Sequence, residues 1–126
     1  MALPLLAGLL TKALVSGGKG LSASLTTNFN EKFNDQQINA IIDDVAAEML
    51  ERVIRRTTRV DTGAMQGGWR IETGGGSGSY SFALSNPVDY TIHHEYGTYK
   101  MTAIPMMRPT LEEAQDILDE AVEKHK

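Results

Sequence analysis

Residue types able to do chemistry are few in this chain, and their spacing serves chemistry badly. His93-His94-Glu95 is the one grouping that resembles a set of metal ligands. On a helix, adjacent histidines project about 100° apart and cannot both face one ion. A zincin helix would separate its two histidines by four positions and place the glutamate after the first. The third histidine, His125, falls in the last turn of a final helix, where fraying is expected. The grouping therefore reads as polar residues on an exposed helix face. Gly74-Gly75-Gly76-Ser77-Gly78-Ser79 invites a phosphate-cradle reading, but no Gly-Lys-Ser or Gly-Lys-Thr leads into a helix, and strand patterns flank it on both sides. Gly76-Ser77-Gly78 lies inside that loop, not in a strand-to-helix nucleophile elbow. With no cysteine, thiolate catalysis, zinc-thiolate sites and iron–sulfur clusters drop out. The expectation is a protein that is not an enzyme, with no catalytic, cofactor-binding or metal-ligating residue.

Two features remain that chemistry of contact could use. Arg52, Arg55, Arg56 and Arg59 form the only basic cluster, and at helical spacing they project about 140° away from the stripe of Met49, Leu50, Val53, Ile54 and Thr57. One reading is a solvated face in which Glu48 to Arg52 and Glu51 to Arg55 are i,i+4 pairs, each contributing about 0.2 to 0.5 kcal/mol. The other is a contact surface for an acidic partner or for DNA phosphate. The second feature is Tyr96-Gly97-Thr98-Tyr99 followed by Met101, Ile104, Met106 and Met107, a loop with many apolar side chains. These residues either fold back as a lid on the core or form an adaptable docking surface. Tyr96, Gly97, Met106, Met107 and Arg108, with the arginine face, are the candidate subunit or partner contacts.

The elements that must position them follow from pattern. A chain of 126 residues, 41% hydrophobic and 22% charged, builds one core. Residues 1–15 are apolar, yet no Lys or Arg precedes the run and Lys12 interrupts it, whereas a membrane span needs roughly 20 apolar residues. The expected element is a short amphipathic helix, with Pro4 in its first turn and Leu5, Leu6, Leu9, Leu10, Ala13 and Leu14 at helical spacing, stopped by Gly17, Gly18 and Gly20. Residues 21–33, rich in Ser, Thr and Asn, read as a connector or extended arm. Residues 1–33 thus form an N-terminal helix and flexible arm, and residues 34–126 the core domain.

In that domain Asn34 and Gln37 make a capping box, and Ile38, Ile41, Ile42, Val45, Met49, Val53 and Ile54 trace a buried stripe to about residue 57. Trp69, Ile71 and Thr73 alternate as a strand, and Tyr80, Phe82 and Leu84 alternate as its return partner across a long glycine loop. Pro87 opens a short helix that Gly97 ends. Thr110-Leu111-Glu112-Glu113 reads as a second capping box, with Leu111, Ala114, Ile117, Leu118, Ala121 and Val122 on one face of the final helix. The fold class is α+β: two main amphipathic helices packed on a small antiparallel sheet, with an N-terminal helical arm.

The order of four short motifs carries a resemblance. Asp61-Thr62-Gly63-Ala64-Met65 before a strand, Asn86-Pro87-Val88-Asp89-Tyr90, Glu95-Tyr96-Gly97-Thr98, and Met106-Met107-Arg108-Pro109-Thr110 leading into a last helix resemble the tail-completion, or head-tail joining, proteins of tailed bacteriophages. The resemblance spans residues 61–118. It departs from the family pattern at Met107, where an aromatic residue is usual before Arg-Pro, and at Thr110, where alanine is usual. It implies a non-enzymatic virion protein of the neck, assembled in the host cytoplasm. The implied form is a ring of six copies that contacts neighbouring head-tail connector and tail proteins. DNA would pass through its channel without specific binding, and no membrane would be involved. A formal net charge of -4 suits such a channel, because many phosphate contacts would hold the genome in place. The rival readings are a tail terminator ring of the same virion, a small hydrolase or metal-dependent enzyme, and a regulatory module that binds protein or DNA through the arginine face.

Overall fold

The computed structural model describes residues 20–28, 33–58, 63–76, 79–88 and 90–125, together with the backbone path of residues 11–15. The chain runs β1 (Thr11–Val15), β2 (Leu21–Asn28), α1 (Asp35–Arg56), α2 (Ala64–Gly67), β3 (Arg70–Gly76), β4 (Ser79–Asn86), α3 (Thr91–Tyr96), α4 (Met107–Glu112) and α5 (Ala114–Lys124). The strands form one antiparallel sheet in the order β1-β2-β4-β3. The α+β class is the one expected, with α1 and α5 as its two principal amphipathic helices, packed against each other and into the core shared with the sheet.

Two expectations for the N-terminal third give way. Residues 11–14, read as the end of a helix, lie in β1 and pair with β2, Thr11 opposite Thr26 and Leu14 opposite Ala23; the remainder of that reading, residues 1–10, lies outside the described residues. The arm at residues 21–33 is largely β2, an interior strand of the sheet. Its side chains alternate: Leu21, Ala23, Leu25 and Thr27 are buried and Ser24, Thr26 and Asn28 exposed. Opposite it, Phe82, Leu84 and Asn86 of β4 face the same side, with Leu25 against Phe82 and Ala23 against Leu84. Each fully buried Leu or Phe contributes about 1.5 to 3 kcal/mol of apolar burial, so this strand pair is a large part of the core.

Asn34 caps α1 as its sequence implies. Its side chain accepts from the Gln37 amide at 2.7 Å, and the Gln37 side chain accepts from the Asn34 amide at 3.0 Å. Ile41, Ile42, Val45, Met49 and Val53 form the buried stripe. At the far end the Thr57 hydroxyl donates to the Val53 carbonyl and accepts from the Trp69 indole at 2.7 Å, which ties the end of α1 to the start of β3. The glycine stretch is less of a loop than its composition implied: Gly74, Gly75 and Gly76 pair with Ser81, Tyr80 and Ser79, while Ser77 and Gly78 lie outside the described residues.

The second capping box is also corrected. Thr110 lies inside α4, not before a helix, and its hydroxyl donates to the Met106 carbonyl at 2.9 Å. Helix α4 starts at Met107 because Pro109 falls within its first turn, where an amide hydrogen has no intrahelical acceptor to lose. Glu113 then interrupts the path, and α5 follows with Ala114, Ile117, Leu118, Ala121 and Val122 buried, the face read from periodicity.

Candidate functional site

The four motifs of residues 61–118 are brought together in pairs by two buried polar side chains. Asn86, the last residue of β4, donates from Nδ2 to the Met65 carbonyl at 2.7 Å and accepts from the Val88 amide at 3.1 Å on Oδ1. It thereby joins the turn at Gly63-Ala64-Met65 to the Asn86-Pro87-Val88 corner. Asp61, Thr62 and Asp89 of these motifs lie outside the described residues.

Glu95 makes the second junction. Its side chain is 0% exposed. Oε1 accepts from the Met106 amide at 2.9 Å and the Met107 amide at 2.7 Å, and Oε2 accepts from the Arg108 amide at 3.0 Å and from Arg108 Nε at 3.1 Å. The residue at the head of α4, Met106, offers no side-chain cap; the carboxylate from α3 supplies it, where negative charge meets unpaired amide donors. The Arg108 guanidinium covers the Tyr96 ring at 4.3 Å from its centroid, so one arginine closes both the buried carboxylate and the exposed aromatic ring. The reading of His93-His94-Glu95 as an exposed polar face is therefore wrong for His94 and Glu95, which are buried; α3 is too short for periodicity to reveal its inner face. No group of three His, Cys, Asp or Glu residues suited to a metal ion occurs among the described residues.

Of the proposed contact residues, Met106 and Met107 belong to the core: they are 1% and 0% exposed and are not available to a partner in this chain. The Glu95 carboxylate draws their amides inward, and their side chains follow into the cluster with Leu111 and Leu118. Tyr96 and Arg108 reach the surface. Gly97 ends α3 at φ 77°, and a Cβ there would stand 2.8 Å from the Ala103 amide nitrogen, so the close approach of the following loop requires glycine. Beyond it Thr98 and Met101 pair across Tyr99-Lys100, with Thr98 N donating to Met101 O at 2.8 Å and Met101 N to Thr98 O at 3.1 Å.

The arginine face divides. Arg52 pairs with Glu48 at 2.7 Å, and Arg55 pairs with Glu51, both at the i,i+4 spacing read from sequence. Arg52 and Arg56 also converge on Glu113, at 3.5 Å and 2.6 Å, and Arg56 donates to the Thr110 hydroxyl at 3.0 Å. These two side chains clamp the junction of α4 and α5 to α1. The hydrogen bond from Arg56, reinforced by its charge and that of Arg52, holds the Glu113 carboxyl below the usual range. The bond to Glu48 raises the Arg52 guanidinium in turn. Arg55 is left mostly exposed, and Arg59 lies outside the described residues.

The sheet offers a surface that side-chain motifs did not indicate. Among the described residues no strand lies outside β1 or outside β3. Every residue of β3 is exposed except the half-buried Ile71. No described helix is long and apolar enough to cross a membrane. Comparisons with protein-family models, curated proteins and solved structures return no match to this chain.

Proposed function

We propose that this chain is a structural subunit of a tailed bacteriophage neck, assembling head to tail into a ring that joins the DNA-filled head to the tail, with no substrate turned over. The observation that carries the reading is that β1 and β3 end the sheet with no further strand paired to either among the described residues. Three antiparallel steps separate β1 from β3, so the two edges run in opposite directions. Copies related by rotation about an axis along the strands would therefore meet β3 against β1 as an antiparallel pair, continuing the sheet from one subunit into the next. An exposed edge such as β3 is a liability in a monomer and is consumed in such an assembly. The motif pattern adds support, because its residues Asn86, Glu95 and Arg108 are the ones that brace the fold.

The functional test is genetic. Removing the gene from its genome leaves packaged heads and finished tails lying apart under the electron microscope. Joined, infectious particles formed without it would overturn the proposal.

A further inference from the structure

Exposed large hydrophobic side chains among the described residues are Tyr90, Tyr96 and Tyr99, all within one stretch of the chain, and Tyr99 is 93% exposed. A lone exposed aromatic ring needs no explanation on a mobile loop. Tyr99 does not sit on one. It occupies the two-residue tip between Thr98 and Met101, whose backbones bond to each other in both directions, and the Lys100 amide donates to the Thr98 hydroxyl at 3.2 Å. The base of the tip is fastened to α3 by Gly97 N to His93 O at 2.7 Å and Ile104 N to His94 O at 2.8 Å. The Lys100 ammonium lies 5.3 Å from the centre of the Tyr99 ring and makes no ion pair among the described residues. A rigid aromatic anchor loses little freedom on docking, and tyrosine is among the residues enriched at the centres of protein interfaces.

A complementary surface exists on the same molecule. Helices α1 and α5 border a groove of about 320 Å³ with Asp44, Glu48, Glu51 and Glu120 around Ala47, and Lys124 at one end. Asp44, Glu48 and Glu51 already pair with cations of this chain. Glu120 is exposed and makes no ion pair among the described residues.

From these two surfaces we infer that the Tyr99-Lys100 tip of one copy docks in the α1/α5 groove of the next, the ring resting on Ala47 and the Lys100 ammonium meeting Glu120. The inference rests on the ring reading and adds to it what backbone pairing lacks. Gly74, Gly75 and Gly76 leave the last three of the seven residues of β3 without side chains to specify register, and glycine-rich strands slip. A side-chain anchor on a different part of the surface fixes that register. Made in one direction from each copy to the next, the tip-to-groove contact is heterologous, and it closes a ring where the rotation between copies closes. A nucleic-acid strand is the less favoured occupant of the tip, given the net charge of -4.

The test measures assembly of the full chain by light scattering and sedimentation across a concentration series, for wild type, Tyr99→Ala, Lys100→Glu, Glu120→Lys and the Lys100→Glu/Glu120→Lys double variant. All substituted side chains are exposed, so melting temperatures of the unassembled chain, read below the assembly concentration, should stay unchanged. Each single variant is expected to raise the concentration of half-assembly about tenfold or more, and the double charge reversal to recover most of that loss. Rings formed by all variants at the wild-type concentration would overturn the docking contact and leave the ring reading standing. Loss without recovery in the double variant would overturn the choice of groove. Single-stranded DNA binding that falls with Tyr99→Ala while assembly is unaffected would overturn the second copy as occupant. A wild-type chain that stays monomeric throughout would overturn the ring reading itself.

Discussion

The carboxylate of Glu95 and the guanidinium of Arg108 meet at 3.1 Å, and a second nitrogen of the same guanidinium reaches the Glu95 carbonyl at 2.6 Å. The pair is unequal in its surroundings. Glu95 is wholly enclosed, whereas the Arg108 side chain is 40% exposed and covers Tyr96 from outside. Most of what holds the carboxylate comes from backbone: the amides of Met106, Met107 and Arg108 all point at it.

Truncating the two partners should therefore cost different amounts. Glu95→Ala strands the buried Met106 and Met107 amides and is expected to destabilise the chain by about 3 kcal/mol. Arg108→Ala leaves three amide donors on the carboxylate and should cost about 1 to 2 kcal/mol. Equal losses in urea denaturation would mean that the ion pair, not the amide cradle, is what matters.

Asn86 is the matching brace at the end of β4 that leads into α3. Asn86→Ala removes the acceptor of the Val88 amide and the donor to the Met65 carbonyl, with an expected loss of about 1 to 3 kcal/mol. Asn86→Asp keeps the shape and turns a carboxylate oxygen toward the Met65 carbonyl, so its defect should ease as pH falls and the carboxyl is protonated. A defect of constant size between about pH 4 and pH 8 would argue against the assigned amide orientation.

Acid stability should trace to two carboxylates at the helix contacts. The hydrogen bond from His125, opposed by partial burial and aided by the Lys124 charge, holds Asp44 below the usual range, and Arg56 does the same for Glu113. A group whose folded value is depressed binds its proton more weakly than in the unfolded chain. Its contribution is complete above the ordinary carboxylate value, near about pH 4, and is lost as pH falls through the lowered folded value. Asp44→Asn and Glu113→Gln should each lower the melting temperature at neutral pH and flatten its fall below about pH 4. An acid limb as steep as that of wild type in both variants would contradict this.

The long periodic helices, the β3/β4 pair and the end of α3 at Gly97 were legible in the sequence, whereas β1, β2 and the start of α4 were not. The stripe from Ile41 to Val53 and the face from Ala114 to Val122 repeat often enough to show which side is buried. In β2 the alternation of Leu21, Ala23 and Leu25 with Ser22, Ser24 and Thr26 was present, but small and polar residues masked it as an arm. Burial of Glu95 is not legible because six residues of α3 define no face, and because its partners are backbone amides that leave no trace in residue type. A clue lay in the start of α4: a helix opening with Met-Met-Arg-Pro has no Ser, Thr, Asp or Asn of its own to accept its first amides, so the acceptor had to come from elsewhere in the chain.

That borrowed acceptor has a kinetic consequence. With the first turn of α4 hung on a side chain of α3, opening that turn strips the buried Glu95 carboxylate of its amide donors. Residues 91–112 are therefore expected to open and close as one cooperative unit of local unfolding, with the Thr98, Met101 and Met107 amides exchanging their hydrogens at a common rate.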